Sequence, residues 1–334
     1  MPPMTTTSSA PRAPRFFGGD QAHAAHDAWQ EIGAGLQAPA ASISPKYFYD
    51  SLGSKLFEAI CELPEYYPTR TEAAIFDEHL PDIAAALPRG ATLVDLGAGN
   101  SAKAARLFAP LEVARYVAVD VSLGFLRESL TALQQRFATL DIRGVGADFS
   151  QRLVLPAQAL EPAGAPRVLF YPGSSIGNFD PADAQRLLRE VRALCAAAPG
   201  SGLLIGVDLV KDRRVLEAAY DDALGVTAAF NLNALRHLND LAGTDFDLRD
   251  WRHVAAFDPV HSRIQMHLQA RRALTVCWPD GQRRFAADER IHTENSYKWT
   301  PASFEALLRD AGFARVRRWS DADQAFALWW AKAG

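Results

Sequence analysis

Cysteine is scarce in this chain. Three occur in 334 residues, Cys61, Cys195 and Cys277, and none forms a C-x-x-C pair. That excludes a disulfide framework and a cysteine zinc site, and it points to a reducing, cytoplasmic setting. A basic excess is also missing: the net charge is -4, which gives no electrostatic footprint for a nucleic acid. No apolar run approaches the roughly 20 residues that span a bilayer, so no membrane partner is expected. The first fifteen residues, MPPMTTTSSAPRAPR, lack the apolar stretch of a signal peptide, and residues 1–19 read as a disordered tail. The eight histidines show no H-E-x-x-H spacing, so no metal site is expected. Internal repeats are lacking. What remains is an ordinary globular composition, 49% hydrophobic and 22% charged, long enough for one large or two medium domains.

The middle of the chain alternates short apolar runs with helix-period segments. LVDLGAGNSAKAARLF (93–108), YVAVDVS (116–122), FLRESLTALQQRF (125–137), IRGVGADF (142–149), RVLFYPGSSIGNF (167–179) and GLLIGVDLV (202–210) follow in that order, and Asp180-Pro181 opens a further helix. Such alternation means an α/β, doubly wound, mostly parallel sheet whose ligand sits at the carboxyl ends of the strands. Past Asp208 the pattern changes to two helical stretches, 212–224 and 226–241, and then to strand-like runs reaching Tyr297. The last stretch returns to a helix and two strands, which suits an antiparallel edge of the sheet. Residues 71–209 and 298–334 are thus expected to form one domain, and residues 20–70 with the insertion 210–297 a second, α+β one.

The loop DLGAGNSA contains Gly97-x-Gly99-x-x-Ala102, the turn that lets backbone approach a nucleotide closely. Asp120, at the end of the next strand, is placed to accept hydrogen bonds from ribose hydroxyls. Two details favour S-adenosylmethionine over a nicotinamide. Asp95 stands two residues before the first glycine, where an acid can assist a methionyl ammonium. Asp148-Phe149 ends the third strand, where an acid and an apolar neighbour can hold an adenine.

IHTENSYKWT (291–300) reads as a strand in which period two puts His292, Glu294, Ser296 and Lys298 on one face. Ile291, Thr293, Asn295, Tyr297 and Trp299 fall on the other. On its own such a face is most simply solvated.

Several longer strings change that balance. FYDSLGSKLFEAICELPEYYPTRTE (48–72), LVDLGAGNSAK, GSSIGNF, GVDLVKD, AAYDDALGVTAAFN (218–231), RIQMHL (263–268) and TENSYK closely resemble one family. It is the histidine-specific Nα-methyltransferase family of ergothioneine biosynthesis, and the resemblance runs from about residue 20 to 332. It implies a class I, Rossmann-like methyltransferase sheet with a substrate domain made from the N-terminal segment and an insertion. It implies S-adenosylmethionine as methyl donor, L-histidine as the small-molecule acceptor and hercynine, the trimethylated betaine, as product. Carried over residue by residue, Gly97, Gly99, Lys103, Asp120, Asp148 and Phe149 hold the donor. Asn178 and Tyr220 hold the acceptor's backbone, Tyr49 and Tyr66 lie beside its amine or carboxylate, Glu294 and Ser296 read the imidazole, and Met266 forms an apolar wall. A hydroxyl of Tyr49 or Tyr66, or a water, is expected to carry away the amine's proton. A carboxylate and a hydroxyl suit the two nitrogens of an imidazole. The alternatives are another aromatic acceptor, a nicotinamide-dependent oxidoreductase on the same glycine loop, and a non-catalytic binding subunit. A monomeric chain is compatible with all of them.

Overall fold

The computed structural model describes residues 12–18 and 21–334. In chain order its elements are β1 (Arg15–Phe17), α1 (Gln21–Gln37), a 3-10 turn (Pro45–Phe48), α2 (Ser51–Cys61), α3 (Tyr67–Ala86), β2 (Thr92–Leu96), α4 (Ala102–Phe108), β3 (Arg115–Asp120), α5 (Leu123–Arg136), β4 (Asp141–Gly146), α6 (Ala157–Leu160) and β5 (Arg167–Tyr171). A second 3-10 turn (Ser175–Asn178) leads to α7 (Pro181–Ala196), β6 (Gly202–Asp208), α8 (Arg213–Ala218) and α9 (Val226–Ala242). Then come β7 (Trp251–Asp258), β8 (Arg263–Ala270), β9 (Leu274–Trp278), β10 (Gly281–Phe285), β11 (Arg290–Tyr297), α10 (Pro301–Asp310), β12 (Arg315–Ser320) and β13 (Phe326–Lys332).

Eight strands form one sheet in the order β1-β4-β3-β2-β5-β6-β13-β12. β1 to β6 run parallel, while β13 lies antiparallel to both β6 and β12. The strands β2, β5 and β6 are buried along their whole length, as strands covered by helices on both faces must be. One face packs on α7 and α10 through Leu187, Leu188 and Phe304, the other on α3, α4 and α5 through Ile75, Leu107 and Leu130. Trp329 and Trp330 point to opposite faces of this sheet, one into each core. Their role is packing, as their neighbouring positions on a strand dictate.

The second sheet is antiparallel, in the order β11-β8-β7, with β9 and β10 as a separate hairpin. Its core gathers Leu36 and Ile43 from the N-terminal segment with Leu235, Trp251 and Ile291 from the insertion. α8 is shorter than the sequence pattern suggests. The carboxylate of Asp222 instead accepts the backbone N–H groups of Val226 and Thr227 and starts α9 afresh.

Two local expectations are corrected. The tail expected to be disordered contains β1, an edge strand that needs only three residues to pair with β4. Gly144 leaves room for the Phe16 ring, and the guanidinium of Arg15 donates to Asp141 at 2.9 Å. The remainder of that tail, residues 1–11 and 19, lies outside the described residues. The other correction concerns β11. Its pairing with β8 shifts between His292 and Glu294, so His292 faces His267, Glu294 faces Met266, and Thr293 is the extra residue of a β-bulge. His292 therefore shares a face with Asn295, to which its ring hydrogen-bonds at 2.9 Å, and not with Glu294.

Candidate active site

The strand order reverses between β2 and β5, the point where an open α/β sheet leaves a crevice beyond its carboxyl ends. A cavity of about 1050 Å³ opens there. Gly97 and Gly99 form its floor at φ +71° and +51°, and a Cβ on either would project into open space. Both facts describe a turn built for close approach by a ligand. Asp120, at the end of β3, accepts the N–H groups of Gly99 and Ser122 at 2.9 Å each, which fixes its carboxylate at the cavity. Asp148 and Phe149 lie in the loop just past β4 and not within it. Asp148 accepts from the backbone of Ser150 and from Lys46 Nζ, both at 2.9 Å, and Phe149 packs edge-on against Tyr171. Lys103, in the first turn of α4, donates to Glu72 at 2.6 Å. Asp95 also lines the cavity. Burial raises its pKa to about 7; one oxygen accepts from Tyr116, and the other is buried without a partner. An ammonium group would relieve both conditions, so these residues fit a nucleoside carrying an amino acid tail.

A second, small pocket of about 50 Å³ shares walls with the first. Tyr49, Tyr66, Asn178, Tyr220, Met266, Glu294 and Ser296 all line it. The structure thus brings together every acceptor residue expected from the sequence. Glu294 is 7% exposed, so the solvated reading of its strand face fails. Burial raises its pKa to about 8, opposed by the Lys298 charge, so at neutral pH its carboxyl is mainly protonated. Asn178 Nδ2 donates to Glu294 Oε2 at 3.3 Å, linking the turn after β5 to β11. Tyr49 and Tyr66 form an aromatic cage with Phe57, which meets them edge-on at 5.8 and 6.1 Å between centroids. Among the described residues neither of these tyrosine hydroxyls has a hydrogen-bond partner. Burial pushes both phenols well above their ordinary pKa, so neither is available as tyrosinate. His292 and Asn295, on the opposite face of β11, line the larger cavity at its Asp180 edge, although the strand pattern had Asn295 facing away.

Several site residues escaped the sequence reading. Glu72 is buried inside α3, receives the Gly173 N–H at 2.9 Å and holds Lys103. Nothing local marks it, because its partners are 101 and 31 residues away. Phe57 lay within a quoted string, yet only the fold puts it in the cage. Lys298 was placed on the face of Glu294 and Ser296 by period two. The buried network it forms with Asp208, Tyr67, Lys211 and Tyr220 depends on tertiary contacts.

A parallel sheet of this order with a glycine turn after β2, an acid ending β3 and an antiparallel final strand defines a class I S-adenosylmethionine-dependent methyltransferase. The family is narrower still: residues 28–333 match the model of the histidine-specific, S-adenosylmethionine-dependent methyltransferases, and the chain belongs to that family. It is 40% identical over 305 residues to a histidine N-alpha-methyltransferase of Mycolicibacterium smegmatis, covering 90% of this chain and 92% of that one. The corresponding enzyme of Mycobacterium tuberculosis is 38% identical over the same shares of both chains. An ergothioneine biosynthesis protein of Neurospora crassa is 31% identical over 81% of this chain and 31% of its own length.

Proposed function

We propose that the protein transfers three methyl groups from S-adenosylmethionine to the α-amino group of L-histidine, giving hercynine for an ergothioneine-type pathway. The observation that carries this reading is the buried pair Glu294 and Ser296, opening beside an aromatic cage. A carboxyl and a hydroxyl complement the two nitrogens of an imidazole, and an acceptor without them would leave Glu294 buried with no partner beyond its contact with Asn178. The family does not favour the nicotinamide reading, and the polar pair argues against an apolar acceptor.

In this reading Gly97, Gly99, Asp120, Asp148 and Phe149 hold the nucleoside, and Lys103 with Asp95 holds its amino acid end. The bound donor supplies an activated methyl on a sulfonium. The chain's own task is then alignment. Asn178 and Tyr220 fix the acceptor's backbone, Met266 closes its apolar side, and Glu294 and Ser296 fix its ring, which leaves the amine as the free end. Tyr49 and Tyr66, neutral phenols, accept an amine N–H in the first two transfers and so orient the nitrogen lone pair toward the methyl; in the third, the ring faces alone position the tertiary amine. Each transfer releases one proton, which passes by way of such a hydroxyl to water. As methyl groups accumulate, the cage offers ring faces to a fixed cation. The block made from residues 20–70 and 210–297 reads the acceptor together with Asn178 from the turn after β5, and the large sheet holds the donor.

Mass spectrometry of the protein incubated with S-adenosylmethionine and an equimolar mixture of the twenty amino acids tests this. Three methyl groups on histidine alone are expected, with turnover lowered in Tyr49→Phe and Tyr66→Phe. Methylation of another amino acid would overturn the ring assignment while leaving the donor site intact. Unchanged turnover in both tyrosine variants would remove those hydroxyls from the chemistry.

A further inference from the structure

Behind the acceptor pocket lies a charged pair that touches neither cavity. Lys298 and Asp208 are each fully buried, with Nζ and Oδ2 2.8 Å apart. Neither lines the large cavity or the small one. Asp208 is fixed from several sides: Tyr67 Oη donates to it at 2.6 Å, Lys211 Nζ at 2.5 Å, and its own backbone N–H donates to Ser174 Oγ at 2.9 Å. Lys298 is held at its backbone as well, since its N–H donates to the Ser262 carbonyl at 2.7 Å. Burial alone would pull the Lys298 ammonium down, but the Asp208 carboxylate beside it keeps it well above the ordinary lysine value. It is therefore a permanent cation with three protons to place.

All three have destinations. One goes to Asp208, one to Ser296 Oγ at 2.7 Å and one to Tyr220 Oη at 3.1 Å. The two hydroxyls also bond to each other at 2.7 Å, with either as donor. Proton counting then restricts what the pair can offer a ligand. If Tyr220 donates to Ser296, both lone pairs of Ser296 are taken and its own O–H points to the pocket. If Ser296 donates to Tyr220, the free O–H belongs to Tyr220, and Ser296 keeps one lone pair. In both arrangements a single hydroxyl proton is uncommitted. The hydroxyl whose donor role changes is the one facing the ring, and its partner is the one facing the acceptor's backbone.

We propose that Lys298, anchored by Asp208, is a positioning residue for acceptor selection: by occupying a lone pair on each of Ser296 and Tyr220 it leaves them one shared proton, which links recognition of the acceptor's ring to recognition of its backbone. The proposal rests on the roles given above to Ser296 and Tyr220. Lys298 does not touch the acceptor; it acts through the two hydroxyls. In the first arrangement Ser296 donates to an unprotonated ring nitrogen while Glu294 accepts from the other nitrogen's N–H. In the second, Ser296 accepts a ring N–H and Tyr220 donates to the acceptor's carboxylate. An acceptor with an apolar ring satisfies neither arrangement at the Ser296 end.

The test is a double-substitution cycle on the full-length protein with Lys298→Met, Ser296→Ala and both together. Histidine KM and kcat are measured for each, and S-adenosylhomocysteine affinity is measured by calorimetry. Each single change is expected to raise KM by about tenfold to a hundredfold, the loss of a charge-assisted hydrogen bond, with a smaller effect on kcat. The double variant is expected to be no worse than the poorer single one, and S-adenosylhomocysteine affinity is expected to stay within about twofold of the parent. A merely structural lysine would give multiplying effects and disturb the donor site, and that result overturns the proposal. So does an unchanged KM in Lys298→Met when Ser296→Ala is impaired. An unchanged KM in Ser296→Ala would instead overturn the ring contact itself, and the proposal with it. If Lys298→Met proves insoluble, Lys298→Met/Asp208→Asn removes both charges of the pair and enters the same cycle.

Discussion

In the proposed reading, Glu294 joins ring recognition to a cost in stability. Its carboxyl is buried against Met266 and the cage, and its pKa rises from 4.5 to about 8. Below pH 4.5 it is protonated whether the chain is folded or not, so burial costs nothing through ionisation. Between pH 4.5 and 8 the unfolded chain releases this proton while the folded one keeps it, so stability falls as pH rises, by about 1.4 kcal/mol per pH unit at most. Above pH 8 both states are ionised and the penalty levels off. Glu294→Gln removes the titration while keeping shape and a hydrogen-bonding end. The variant is expected to melt higher than the parent without ligand, with a gain at pH 8.5 clearly larger than at pH 5, and to lose most of its kcat/KM for histidine. Thermal melts at those two values check it. A gain independent of pH would mean that Glu294 is not the group carrying the buried proton.

At the scale of elements, the site depends on how closely the turn 175–178 approaches β11. Gly177 makes that approach possible: a Cβ there would lie 2.9 Å from the Tyr297 carbonyl oxygen, a backbone atom that cannot swing aside. Gly177→Ala is expected to push the turn away and draw Asn178 off Glu294. Misplacement by about 1 Å can cost about a hundredfold, so a loss of that order in kcat/KM for histidine is expected, with donor affinity little changed. Steady-state kinetics beside a donor titration separates the two, and a parental KM would show that the turn has slack. The same elements show how far the sequence could be read. The parallel strands, the glycine turn and the acids after β3 and β4 were legible because buried strands are continuous apolar runs and turns carry their own chemistry. So were the helix opened by Asp180-Pro181 and the antiparallel last strands. The bulge in β11 was not, because its extra residue is Thr293, with nothing glycine-like to mark it, and it becomes visible only against β8. β1 was missed for a related reason: three residues between Pro14 and Gly18 gain strand character only from the edge of β4. Glu294, Ser296 and the tyrosines could be named from their strings, whereas Lys46, Glu72 and the Lys298 network acquire meaning only where distant segments meet.

Across the whole molecule, Lys46 ties the N-terminal segment to the large sheet. It sits in the turn 45–48 of the N-terminal segment, three residues before Tyr49 of the cage. Its ammonium reaches Glu31 on α1 at 2.5 Å and Asp148 of the large sheet's ligand loop at 2.9 Å. A ligand that engages Asp148 thus acts on the same carboxylate that holds the segment carrying Tyr49. Occupation of the donor site should therefore tighten the acceptor site, and by thermodynamic necessity the reverse effect has the same size. Coupling of this kind is typically worth about 1–3 kcal/mol, a factor of roughly 5 to 150. In Lys46→Met the turn keeps its apolar stem but loses its hold on Asp148. Global stability should change by no more than about 1 kcal/mol, as is usual for a part-exposed ion pair. The coupling is expected to fall toward unity while histidine still binds. Calorimetric titration of histidine with and without saturating S-adenosylhomocysteine measures the factor directly, and the reverse titration must return the same number. A variant with the parent's coupling would show that the two halves communicate by another route, and the first place to look would be the Asn178–Glu294 contact, where the turn after β5 meets β11.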